Sequence, residues 1–217
     1  GIPPASSIKA ITALYALDQL GPDHVFETRL LATGGVVNGE VQGDLILVGG
    51  GDPTLDSDDL GQMAEELKEA GIIGVKGTFK VYEGAFPATF AIDPEQPDHV
   101  GYNPGVSGIA LNYNRVHFEW KRSGGGYDVT MEGRAGRYAP AVRAATMEVV
   151  DRSGPVYTYE NKPDRDVWTV AKSALGSGGA RWLPIRRPGV YAGDIFATIA
   201  RSHGIKLGDA ELAEALP

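Results

Sequence analysis

The 217-residue sequence contains no cysteine, which excludes disulfides, a thiolate nucleophile and cysteine-ligated zinc. It has no apolar run of the roughly 18 to 20 residues that a membrane-crossing helix needs, and Gly1 lacks the basic flank and apolar core of a signal peptide. Positive charge is in short supply: 20 Lys and Arg stand against 28 Asp and Glu, a net charge of -8. The basic stretches are no longer than pairs such as Arg186-Arg187. A nucleic-acid partner is therefore not expected, because phosphate neutralisation needs clustered cations. The histidines His24, His99, His117 and His203 are scattered and none belongs to H-E-x-x-H, so a zinc hydrolase is not expected either.

What remains is a folding composition, 42% hydrophobic and 22% charged, enough for one large or two to three small core units. From Ser6 to Leu20 the run S-S-I-K-A-I-T-A-L-Y-A-L-D-Q-L, closed by Gly21-Pro22, predicts a helix with a defined stop. Its apolar positions surround the axis, so burial on all sides is expected. Paired strands joined through N-G and Q-G turns are predicted from Val25 to Gly49. Ser57 is the expected N-cap of a helix ending at Gly71, and a strand follows, giving a small β-α-β-like unit between about Gly43 and Tyr82. Gly84 to Ser107, rich in Pro, Gly and Asp, reads as a long ordered loop. Short strands spaced by turns from Ile109 predict a mainly antiparallel β unit, and a last helix starts at Pro188 with Gly204 past its end. This order suggests that the two terminal helices belong to one body interrupted by insertions.

Ser6 and Lys9 carry the chemistry of interest. Three apart on a helix, they share a face with side-chain bases about 5–6 Å apart. A lysine held without its proton in a buried site can take the proton of a serine hydroxyl, and a helix N-terminus favours developing negative charge. Lys9 is the only charge between Ala5 and Leu17, and an unpaired ammonium in a buried helix would be costly without such a task. Ser7, two positions from Lys9, does not face it. G-G-G-D-P at Gly49 to Pro53 fails both phosphate-loop patterns, and Asp52, Asp56, Asp58 and Asp59 would repel an anion; a tight turn is the expected role. The same aspartates lack Ca²⁺-loop spacing. No G-x-S-x-G elbow supports a Ser-His-Asp triad, although a histidine brought to a serine by the fold would still allow an unrelated esterase.

The stretch P-A-S-S-I-K-A-I-T-A-L-Y-A-L-D-Q-L-G-P-D-H-V-F-E-T-R-L, then G-D-L-I-L-V-G-G-G-D-P-T-L, G-I-I-G-V-K-G, V-S-G-I-A-L-N-Y-N-R-V and R-W-L-P-I-R-R-P, resembles the low-molecular-mass class C penicillin-binding proteins. These are D-alanyl-D-alanine carboxypeptidase/endopeptidases. The resemblance implies that Ser6 is the acylated nucleophile and Lys9 the lysine that activates it, with no metal or organic cofactor. The implied partners are peptidoglycan stem peptides, β-lactams as covalent inhibitors, and the remainder of the transferase domain. It further implies an α+β, multi-domain fold: a partial serine transferase domain over 1–30 and 188–217, an inserted β-rich domain over 31–51 and 108–187, and a nested small α/β domain over 52–107. In the family the insert helps to bind the peptide side chain, which makes Asp98 and Tyr102 candidates for substrate recognition; a plain polar surface loop is the alternative.

The family's Ser-x-Asn and Lys-Thr-Gly motifs are absent from the 217 residues. A-K-S-A at Ala171 to Ala174 lacks the needed glycine, and Y-E-N at Tyr159 to Asn161 falls inside the β region. Both motifs are expected beyond Pro217, and the start at Gly1 is expected to follow a removed leader, in keeping with the implied periplasmic location. The expected function is a penicillin-sensitive serine D-Ala-D-Ala peptidase; the alternative is a non-catalytic peptidoglycan-binding or scaffold protein on the same fold.

Overall fold

The computed structural model describes residues 4–217. A single 3-10 turn over Ala5–Ser7 leads into helix α1 (Ile8–Leu20), which Gly21 ends as the sequence predicts. The apolar alternation that follows forms β1 (Arg29–Ala32) and β4 (Leu45–Val48), paired antiparallel. Between them lies a small hairpin of β2 (Val36–Val37) and β3 (Glu40–Val41), turned at Asn38-Gly39. The strand pairing thus starts at Arg29, four residues later than the expected Val25.

Helix α2 (Ser57–Glu69) is followed by β5 (Gly74–Val75) and β6 (Phe79–Tyr82). Strands β4 and β6 run parallel, so β4-α2-β6 is a true β-α-β unit, and β4 is buried along its whole length as a covered parallel strand must be. The N-cap of α2 is Asp56, one residue before the expected Ser57. Its carboxylate accepts from the Asp58 and Asp59 backbone N–H groups while the Asp59 side chain accepts from the Asp56 N–H, a reciprocal capping box. Ser57 turns inward instead and donates to the Gly133 carbonyl at 2.8 Å.

Residues 83–110 contain no helix and only an isolated bridge between Thr89 and Val106, as expected of the long loop. Beyond it come β7 (Arg115–Ser123), β8 (Gly126–Glu132), β9 (Ala145–Val150), β10 (Tyr157–Asn161), β11 (Asp166–Ala171) and β12 (Gly178–Pro184). They form two three-stranded sheets in the orders β12-β7-β8 and β10-β11-β9. The pairing is antiparallel except between β11 and β9, which run parallel.

Helix α3 (Pro188–Ser202) begins with proline in its first turn and has eleven of its fifteen residues buried. It packs against α2 and β6, and β13 (Glu211–Leu212) extends the sheet beside β6 to give the order β1-β4-β6-β13. Close approach depends on Gly193, where a Cβ would lie 2.4 Å from the Ala210 side chain and 2.9 Å from Val81. Residues 188–212 thus pack onto the β4-α2-β6 unit. One continuous core runs from Val41 through Leu60, Phe79, Phe118 and Trp168 to Phe196 and Leu207. Helix α1 contributes nothing to it. None of its residues is buried, and Ile11, Leu14 and Tyr15 are each more than 60% exposed, against the expectation of burial on all sides. The reason is geometric: apolar positions all around the axis call for neighbours on every side, and the core elements of this chain are occupied with one another.

Candidate active site

Ala5 sits in the left-handed region with φ 47°, an uncommon conformation for a residue with a Cβ. It turns the chain from Pro4 into the 3-10 turn that carries Ser6 and Ser7. Ser7 is used structurally: its hydroxyl and its N–H both donate to the Pro4 carbonyl. Ser6 is left to Lys9, whose Nζ donates to the Ser6 Oγ at 3.3 Å. The three-residue spacing delivers the pair as predicted, one turn apart on one face. Both residues are exposed, against the expected burial of Lys9.

The other candidates lie in the long loop. The Asp98 carboxylate is exposed and stands 3.9 Å from the Arg186 guanidinium. Tyr102 is 71% exposed and its hydroxyl donates to Gln96 at 3.2 Å. No hydrogen bond or ion pair among the described residues joins Asp98 or Tyr102 to the Ser6–Lys9 pair. Asp98 does border a cavity of about 530 Å3, shared with His99, Tyr157, Trp168 and Arg181. His99 stacks on the Tyr157 ring at 5.2 Å, and the Arg181 guanidinium lies 5.2 Å from the same ring. Burial first, and then the Arg181 charge, hold the His99 imidazole below its ordinary value of 6.5, so the ring is neutral at neutral pH. In the sequence His99 stands only as one of four scattered histidines and Arg181 carries no signal, because nothing in their spacing shows that strand β12 and the loop meet.

The remaining sequence candidates have structural tasks. In G-G-G-D-P, a Cβ at Gly49 would lie 2.4 Å from the Gly108 carbonyl and the Gly51 N–H donates to that carbonyl at 2.8 Å. The glycines thus permit a close backbone crossing in an irregular segment that bends at Pro53-Thr54, in place of the tight turn expected. Asp52 accepts from the Thr54 backbone and hydroxyl. Asp58 accepts from the backbone N–H groups of Arg137 and Tyr138. Among the described residues no group of three His, Asp or Glu side chains is gathered as a metal site would require.

Residues 2–213 match the model of the D-Ala-D-Ala carboxypeptidase 3 (S13) family. The chain belongs to this family. Its sequence is 31% identical over 227 residues to a D-alanyl-D-alanine carboxypeptidase of Actinomadura sp., covering 96% of this chain and 41% of the relative. A shorter match, 40% identical over 73 residues, covers 34% of this chain and 15% of the D-alanyl-D-alanine carboxypeptidase DacB of Haemophilus influenzae. The fold is similar to the crystal structure of penicillin binding protein 4 (dacB) from Haemophilus influenzae, with a TM-score of 0.75, 22% identity, and coverage of 99% of this chain and 49% of that one. A second structure of that protein, complexed with a β-lactam, matches with a TM-score of 0.66 at 21% identity, over 98% of this chain and 46% of that one. The S13 chain thus spans less than half the length of these relatives. The resemblance carried by the sequence motifs is borne out, and the family is one of enzymes.

Proposed function

We propose that the protein is a serine-type D-Ala-D-Ala peptidase of the bacterial cell envelope, located in the periplasm, and that Ser6 and Lys9 begin its reaction. The observation that carries this reading is the 3.3 Å contact between Lys9 Nζ and Ser6 Oγ at the start of α1, in a chain of the S13 family. Ser6 Oγ attacks the carbonyl carbon of the D-Ala-D-Ala peptide bond while Lys9 takes the hydroxyl proton. Collapse of the tetrahedral intermediate breaks the C–N bond, the proton passes to the leaving amine, and an ester to Ser6 remains. Water then hydrolyses the ester and restores the serine. Release of a terminal D-Ala is the carboxypeptidase reaction; the same chemistry on a cross-link is the endopeptidase reaction.

A β-lactam is attacked at its amide carbonyl in the same way and leaves a slowly hydrolysed ester, a reading supported by the β-lactam complex of the similar Haemophilus protein. The groups of the Ser-x-Asn and Lys-Thr-Gly motifs are supplied by polypeptide outside these 217 residues, which also covers the apolar faces of α1 and dries the pair. Asp98 and Tyr102 lie at the recognition surface for the stem-peptide side chain.

The test is covalent labelling of the intact protein with a fluorescent penicillin. Labelling is expected on Ser6, abolished by Ser6→Ala and reduced at least 100-fold by Lys9→Ala. Undiminished labelling of Ser6→Ala overturns the assignment. The exposure of both residues in this chain is the observation that favours the alternative, a non-catalytic peptidoglycan-binding protein. That alternative is decided by the same experiment, because it requires the unmutated protein to take no label while still pulling down peptidoglycan.

A further inference from the structure

Arg186 looked unremarkable in sequence, one half of a short basic pair, yet its side chain is 1% exposed. Its guanidinium lies against a pair of touching rings, 5.5 Å from the centroid of Phe90 and 5.9 Å from that of Tyr159, the two centroids being 6.1 Å apart. One terminal nitrogen donates to the Asn103 carbonyl and the other to the Asp98 carbonyl at 2.9 Å. A planar fork suits this place, since a guanidinium reaches two acceptors in fixed directions while lying against aromatic rings.

The backbone of Arg186 is fixed in turn. Its N–H donates to the buried Asp166 carboxylate at 2.9 Å, whose other oxygen accepts from the Tyr159 hydroxyl at 2.7 Å. On the loop side, Asn103 closes a ring with Asp93 through reciprocal side-chain to backbone bonds of 2.7 and 2.8 Å. The Gly105 N–H donates to the Ile185 carbonyl at 2.7 Å. The chain from 93 to 105 has no regular secondary structure, so these bonds set its shape together with local turns, such as those from the Val100 N–H to Pro97 at 3.2 Å and from the Asn103 N–H to Val100 at 3.1 Å.

From this arrangement we infer that Arg186 is a positioning residue, which clamps the carbonyls of Asp98 and Asn103 and so holds Asp98 and Tyr102 in the conformation that receives the peptide. The inference rests on the proposed recognition role of those two residues. Lysine in its place keeps the charge and loses the fork and the stacking plane.

The experiment compares unmutated protein with Arg186→Lys, Phe90→Leu, Asp98→Ala and Tyr102→Ala, all in the intact protein. Three quantities are read: amide hydrogen exchange over 93–105, the rate of acylation by a fluorescent penicillin, and kcat and KM for a stem peptide with its free side chain. Arg186→Lys should speed exchange over 93–105 about tenfold or more and raise KM about tenfold, with acylation within about twofold, since loss of a charged hydrogen bond is worth about a decade or more. Phe90→Leu, at a ring that is 47% exposed, folds readily and should move the same two readouts in the same direction by a smaller factor. Asp98→Ala and Tyr102→Ala should raise KM with exchange unchanged.

Unchanged exchange in Arg186→Lys overturns the clamp, as does faster exchange with KM unmoved while Asp98→Ala raises it. If neither Asp98→Ala nor Tyr102→Ala alters KM, the recognition surface itself is overturned and the positioning role with it. Equal losses in acylation and peptide turnover reduce Arg186 to a general stabiliser and also overturn the inference.

Discussion

Helices α1 and α3 are built from similar material and meet opposite fates. Both are rich in alanine and large aliphatic residues, both carry a tyrosine, and both end at a glycine with positive φ one or two residues past the last turn. Yet α3 buries eleven residues against α2 and β6, while α1 buries none. The difference lies in the neighbours each helix has. In α3 every residue from Tyr191 to Ala197 is buried, so neighbours such as α2, β6 and β13 enclose its apolar residues on all sides, with Gly193 at a close contact. In α1 the apolar residues likewise surround the axis, and a helix of that kind is stable only when neighbours surround it too. The apolar character of α1 is therefore a statement about partners, and the Ser6–Lys9 pair sits at the edge of that unmet requirement.

The sharpest way to break the comparison is to truncate one core contact. Phe196, fully buried on α3, packs against Phe79 with ring centroids 5.4 Å apart. Phe196→Ala should cost about 3–5 kcal/mol from lost transfer energy and the cavity left behind, measured by urea unfolding. Next in size is Asp194→Ala. This carboxylate, 7% exposed, accepts from the Arg143 N–H at 2.6 Å, the Ala144 N–H at 2.9 Å and the Arg143 guanidinium at 2.9 Å. Its removal leaves two backbone donors without a partner and should cost about 2–3 kcal/mol, with Asp194→Asn recovering part of the loss.

Much of this contrast was legible in the sequence, and the part that was not has a physical cause. The β-α-β unit, the hairpin turns, the long loop and both helix stops follow from local chemistry: glycine at turns, proline at helix starts, alternation in strands. The N-cap moved from Ser57 to Asp56 because both residue types cap well, and the carboxylate that also completes a box with Asp59 wins. The parallel pairing of β9 with β11 was hidden because alternation is the same in either direction. Ser6 and Lys9 were legible because their relation is local. Arg186 was not, because its two acceptors lie 83 and 88 residues earlier, and no window of sequence contains both.

Acid should act on the core side of the comparison. Burial, then the Arg134 charge, hold His117 below the ordinary imidazole value of 6.5, and burial with Arg181 does the same for His99. The unfolded chain then binds more protons than the folded one below about pH 6.5. The stability contributed by the neutral rings is complete above that pH and declines as pH falls through the unfolded value towards the folded ones. Melting temperature should therefore drop between about pH 7 and 5, and His117→Gln with His99→Gln should flatten that part of the profile. A profile equally steep in the double variant would assign the effect to other groups.

The smallest effect is expected where apolar residues are most abundant. Leu14 on α1 is 68% exposed, so Leu14→Ala removes little buried area and gains slightly in helix propensity. In the 217-residue chain it should change urea stability by less than about 0.5 kcal/mol, an order of magnitude less than Phe196→Ala on α3. In the intact protein, where polypeptide outside this chain is proposed to cover α1, the same substitution should cost about 2–4 kcal/mol and slow penicillin acylation of Ser6. The ratio between the two settings measures how far α1 is covered, and equal small effects in both would mean that the apolar surface of α1 stays open and that the Ser6–Lys9 pair works, if at all, in water.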